Sequence, residues 1–124
     1  MAEENGNRAL VVEDDDSIRM MLARIVEHLD FEVDTARDGV EAIEKLDHDR
    51  YRLVLLDLMM PHIDGYEVLR HMHDHHLGVL GCTIVASAVP ESEILKNFDV
   101  PVYRIRGKPF DVDALMADIR ACHA

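Results

Sequence analysis

A chain of 124 residues has room for one domain, and a composition 48% hydrophobic and 31% charged can bury a core, which excludes a disordered tail. With 25 Asp and Glu against 13 Lys and Arg, the formal charge is −12; that repels phosphate backbones and anionic lipid and argues against direct nucleic-acid binding. No apolar run approaches the roughly 18 residues that span a bilayer, and the acidic start Met1-Ala2-Glu3-Glu4-Asn5 is unlike a signal peptide, so no membrane insertion and a cytoplasmic location are expected.

Residues 1–8 are polar and read as a frayed tail ahead of a single domain over 9–124. Ala9-Leu10-Val11-Val12 is a short apolar run that suits a strand buried on both faces, and four acids follow it: Glu13, Asp14, Asp15 and Asp16. Ile18, Met21, Leu22, Ile25, Val26 and Leu29 recur at helical spacing, with Asp16 or Ser17 as cap. Phe31 to Ala36 reads as a second strand, and Asp38-Gly39 opens a helix carrying Val40, Ile43 and Leu46. Leu53-Val54-Leu55-Leu56, the most apolar stretch, is the expected central strand, with Asp57 directly after it.

Beyond Pro61 and Asp64-Gly65 comes a third helix with Tyr66, Leu69 and Met72 inward. Thr83 to Ala86 is a fourth strand ending at Ser87, and Pro90 to Phe98 leaves space for a short helix. Val102 to Ile105 is a fifth strand, broken by Lys108-Pro109, and Val112, Leu115, Ile119 and Cys122 mark the inward face of a last helix. Five strands alternating with five helices predict a doubly wound α/β fold, a parallel sheet covered on both sides. Cys82 and Cys122 fit no spacing pattern and read as reduced packing residues.

In such sheets sites form beyond the carboxyl ends of the strands, where the strand order reverses. Glu13, Asp14, Asp57, Ser87 and Lys108 all fall at strand ends of that kind. Clustered carboxylates repel each other unless a cation neutralises them, and an all-oxygen donor set favours Mg²⁺ or Mn²⁺ over zinc. The plainer reading, in which these acids cap helices, suits Asp15 and Asp16 better than Glu13 and Asp14. A lysine ammonium and a hydroxyl can neutralise and hydrogen-bond an incoming anion. Together these groups match in-line phosphoryl transfer onto Asp57 to form an acyl phosphate.

The segments Val11 to Arg19, Leu55 to Gly65, Ser87-Ala88 and Lys108-Pro109-Phe110, in that order, resemble the receiver domain of the two-component response-regulator family. The resemblance covers nearly the whole chain after residue 8 and implies a flavodoxin-like sheet of strand order 2-1-3-4-5. It implies Asp57 as phosphoacceptor, Asp14 and Asp57 as direct metal ligands with the backbone carbonyl of Met59, and Glu13 acting largely through water. Ser87 becomes the switch hydroxyl, Ala88 the small neighbour that leaves room for the phosphoryl group, and Lys108 the ion-pair partner. Gly65 is where unusual backbone angles are expected. Apolar Met59 and Val89, which would flank the hydrolytic water's path, imply a long-lived phosphorylated state.

Implied partners are a histidine kinase or histidine phosphotransfer protein upstream and a protein target downstream. No output domain follows the last helix within the sequence, and Cys122-His123-Ala124 does not look like a linker. That favours a single-domain, chemotaxis-regulator-like protein over a piece of a longer regulator. One departure is Ile105, where the family usually carries Tyr or Phe; the nearest aromatic is Tyr103. Another is His71-Met72-His73-Asp74-His75-His76, read as a solvated helix end in which His71 and His75, four apart, could chelate a transition metal. The alternatives are a phosphorylation-independent interaction module that retains a relic site, and a flavin or nucleotide binder, for which the glycine-rich phosphate loop and tryptophan are both missing.

Overall fold

The computed structural model describes residues 7–58, 64–88, 91–97, 102–107 and 111–122. The elements in chain order are β1 (Arg8–Val12), α1 (Asp16–His28), β2 (Glu32–Ala36), α2 (Gly39–His48), β3 (Leu53–Asp57), α3 (Gly65–His75), α4 (Leu77–Leu80), β4 (Thr83–Ser87), α5 (Glu91–Asn97), β5 (Arg104–Gly107) and α6 (Val112–Cys122). All five strands are parallel in the order β2-β1-β3-β4-β5, as the resemblance implied. The described residues hold six helices rather than five, because the chain turns at His76 and adds the single turn α4 before β4.

Two apolar layers cover the sheet. On one side Leu10, Val12, Val54, Leu56 and Val85 pack with Ala42 and Leu46 of α2, Leu69 and Met72 of α3, and Ile94 of α5. On the other, Ala9, Val11, Leu53, Leu55 and Ile84 pack with Leu22 and Val26 of α1 and with Leu115 and Ile119 of α6. Alternation along each strand sends successive side chains to opposite layers, so the inner strands read as unbroken apolar runs.

Several expectations need correction at the level of single residues. Met21, Val40 and Val112 are 42%, 42% and 38% exposed, on the solvent margin of helices whose narrower faces are anchored by Leu22, Ala42 and Leu115. Asp15, not Asp16 or Ser17, caps α1, its carboxylate accepting from the Ile18 N–H at 2.9 Å. The same three-residue reach recurs at Asp38 to Glu41 and Asp64 to Glu67, so part of the acidic surplus serves as helix caps. β5 lies two residues later than expected, at Arg104–Gly107. Cys82 and Cys122 are joined in a disulfide with Cα atoms 5.9 Å apart. Forty residues separate them, but the start of β4 and the end of α6 meet at one edge of the molecule. Among the described residues no helix is long and apolar enough to cross a membrane.

Candidate functional site

The sheet register lines up the chemistry. Val12 pairs with Leu56, Asp57 with Ala86, and Ser87 with Gly107, so the carboxyl ends of β1, β3, β4 and β5 form one edge. From β1 the chain crosses to β2 on one side, while β3 lies on the other, making the β1/β3 boundary the point where strand order reverses. Glu13, Asp14 and Asp57 each bring a carboxylate oxygen to that boundary, all within 4.8 Å of one another. Asp57 and Ser87 are buried at 4% and 1% exposure and Glu13 at 2%, whereas Asp14 is open to solvent.

Backbone and side-chain contacts hold the loop after β1. The Glu13 N–H donates to the Ala36 carbonyl at 3.0 Å, continuing the β1–β2 ladder, and a Glu13 carboxylate oxygen accepts from the Asp15 N–H at 3.2 Å. Arg19, one turn into α1, donates to the Glu13 and Asp14 carbonyls at 3.0 and 3.5 Å and pairs with the Asp16 carboxylate. It is a positioning residue that spacing alone did not single out. The available signal was a cation on the first turn of a helix that opens on four acids.

Gly65 seats the start of α3 against the end of β3. A Cβ there would stand 2.5 Å from Leu58 Cα and 2.9 Å from the Asp57 carbonyl oxygen, and the Gly65 N–H donates to the Leu58 carbonyl at 3.0 Å. Among the described residues no glycine has positive φ. Gly65 is therefore required by close approach to the phosphoacceptor candidate's own backbone, not by the unusual backbone angles expected of it.

Of the sequence-predicted site residues, the structure brings together Glu13, Asp14 and Asp57 and puts Ser87 at the adjoining strand end, with exposed Ala88 after it. Met59, Pro61, Val89, Lys108, Pro109 and Phe110 lie outside the described residues. Ile105 packs with the α2/α3 layer, as do Tyr66 and Val102, and Tyr103 packs with the opposite, α1/α6 layer under the Arg104 guanidinium, 5.0 Å from its ring centre. Tyr103 and Ile105 thus lie in opposite layers of the core. His71 meets His76 on Asp47, rather than pairing with His75 alone.

Comparison with known proteins agrees with this geometry. The response regulator MprA of Mycobacterium leprae (strain TN) is 37% identical over 116 residues, covering 92% of this chain and 50% of the relative. MprA of Mycobacterium avium (strain 104) is 36% identical over 116 residues, covering 92% and 50%. The chain spans about half the length of these curated relatives. Among solved structures, the response regulator TrrA from Thermotoga maritima, in complex with Mg(2+)-BeF, superposes with a TM-score of 0.81 at 28% identity, over 94% of this chain and 98% of that one. The receiver domain of Francisella response regulator 1452 superposes with a TM-score of 0.83 at 23% identity, over 94% and 96%, which shows the shared fold. Residues 9–120 match the response regulator receiver domain as a family, and with the strand order and the carboxylate edge already described, the chain belongs to that family of two-component signalling domains.

Proposed function

We propose that the chain accepts a phosphoryl group on Asp57 from a histidine kinase or a histidine phosphotransfer protein, and signals by changing its contacts with a downstream protein. The observation that carries this reading is the convergence of three carboxylates, two of them buried, at the reversal point of the sheet, with a buried hydroxyl on the neighbouring strand end. Three carboxylates in that space cannot all stay ionised at low cost without a cation, and a donor set of oxygens alone suits Mg²⁺ or Mn²⁺. Glu13, Asp14, Asp57 and the backbone carbonyl of Met59 would hold it. Mg²⁺ bound there supplies positive charge against the oxygens of the transferring phosphoryl group. TrrA, solved with Mg(2+)-BeF, supports the same assignment by similarity.

An Asp57 carboxylate oxygen attacks phosphorus in line. The new P–O bond forms as the P–N bond to the donor imidazole breaks, and that nitrogen keeps the electron pair. The Ser87 hydroxyl donates to a phosphoryl oxygen, small Ala88 leaves room beside it, and Lys108, next in sequence after β5, balances its charge. No external substrate is turned over: the domain catalyses its own phosphorylation and slow dephosphorylation, with apolar Met59 and Val89 offering no group to orient a water. Incubation with acetyl phosphate and Mg²⁺ followed by intact mass tests this. One added phosphoryl group, absent in Asp57→Asn, is expected. A wild-type chain that stays unmodified overturns the reading in favour of a phosphorylation-independent interaction module.

A further inference from the structure

We propose that Asp47, His71 and His76 form a second metal site, selective for a zinc-like transition-metal ion, that clamps the end of α2 to the end of α3. Asp47 is the next-to-last residue of α2, His71 lies in the second half of α3, and His76 is the C-cap of α3. The Nε2 atoms of His71 and His76 each lie 2.7 Å from the same Asp47 oxygen, Oδ1. One donor atom from each residue falls within 4.8 Å of the other two. Both imidazoles are largely covered, at 21% and 26% side-chain exposure, while Asp47 stays half open.

The donor set decides the class of ion. Two imidazole nitrogens and one carboxylate oxygen suit zinc and its neighbours, with a fourth position for water, and they do not suit Mg²⁺. Zinc–ligand distances of about 2.0–2.2 Å put tetrahedral donors about 3.3 Å apart. The present spread, from 2.7 to at most 4.8 Å, reaches that value by small side-chain rotations. The backbone is already fixed: the His76 N–H closes α3 on the Met72 carbonyl at 2.7 Å.

Space and field also fit. A cavity of about 560 Å³ opens beside the cluster, lined by Asp47, His48, Asp49, His75 and His76 among others, with room for the remaining ligand. The carboxyl ends of two helices meet here, and their dipoles favour a cation. Arg50 and Tyr51, which precede β3, also line the cavity, so it lies at the amino edge of the sheet, away from Asp57. The inference therefore does not depend on the phosphoacceptor reading.

The test is a Zn²⁺ titration of tag-free protein in competition with a chromophoric chelator, with excess Mg²⁺ present to occupy the acidic cluster. One equivalent binding at micromolar affinity or tighter is expected. His71→Ala and Asp47→Ala should each weaken it at least about tenfold. His71→Gln, which keeps a hydrogen-bond donor to Asp47 but no imidazole, should do the same in a folded chain, as judged by an unchanged amide spectrum. His75→Ala should stay within about twofold of wild type. Wild-type binding looser than about 100 µM, equal binding in His71→Gln, or loss of binding in His75→Ala would each overturn the site, the last pointing to an i, i+4 pair on α3 alone.

Discussion

At Gly65 a single missing methyl group sets the approach of α3 to β3. Gly65→Ala forces a Cβ against Leu58 Cα and the Asp57 carbonyl, backbone atoms that cannot rotate away. Overpacking of this kind costs about 1–3 kcal/mol. The displacement would act on Asp57 itself, so urea denaturation should show the loss and acetyl phosphate labelling should slow as well; unchanged values for both would show that the helix start yields freely. The carboxylates make an opposite prediction. Glu13, Asp14 and Asp57 repel one another across a shared space, so Asp57→Asn or Asp14→Asn should raise the metal-free Tm by about 3–6 °C. A lower Tm in both variants would mean that their hydrogen bonds outweigh the repulsion.

Among the elements, β5 is the one that departs most from its sequence pattern. It is an edge strand whose Arg104 and Arg106 turn toward α6 and meet Asp118, buried at 5% exposure. Arg106 grips both oxygens, Nε to Oδ2 at 2.6 Å and Nη2 to Oδ1 at 2.9 Å, and Arg104 Nε reaches Oδ1 at 3.3 Å. The Arg106 hydrogen bonds hold the Asp118 carboxyl below the usual carboxylate range despite its burial. A folded pKa below the unfolded value of about 3.9 contributes stability in full above that value, and the contribution is lost as pH falls through the lower folded value. Asp118→Asn should therefore lower the Tm at pH 7 by about 5 °C and flatten the acid limb of stability below pH ~4. Parallel acid limbs in the variant and wild type would remove Asp118 from that role. On the other face of β5, Ile105 packs in the α2/α3 layer, whereas Tyr103 packs in the opposite one.

Across the whole molecule, the disulfide between Cys82 and Cys122 ties the last helix to the entry of β4 over a separation of 40 residues. Closing a loop of that length stabilises by about 2–4 kcal/mol through the unfolded chain. Urea midpoints should fall by the corresponding amount with reductant present, and by the same amount in Cys122→Ala without it. Equal midpoints with and without reductant would show that the two thiols are not bonded in solution. The clamp proposed at Asp47, His71 and His76 joins a different pair of elements at the amino edge of the sheet.

Short apolar runs each ending in a carboxylate or hydroxyl are a local signal, so β1, β3 and β4, the two-sided burial and the grouping of Glu13, Asp14, Asp57 and Ser87 were all legible in the sequence. Two-sided burial leaves its mark on every residue of a strand, and a parallel sheet places every strand's carboxyl end at one edge. What the sequence could not supply depends on partners distant in the chain. Arg104 and Arg106 share the Asp118 carboxylate of α6, and β5 lies two residues beyond its apolar run. Cys82 finds Cys122, and His76 rather than His75 joins His71 on Asp47, only once separate elements are packed together. Gly65 is glycine because of a backbone seven residues earlier, a steric contact that no local propensity records. Those pairings were decided by tertiary structure, since the distances that create them exist only in the folded chain.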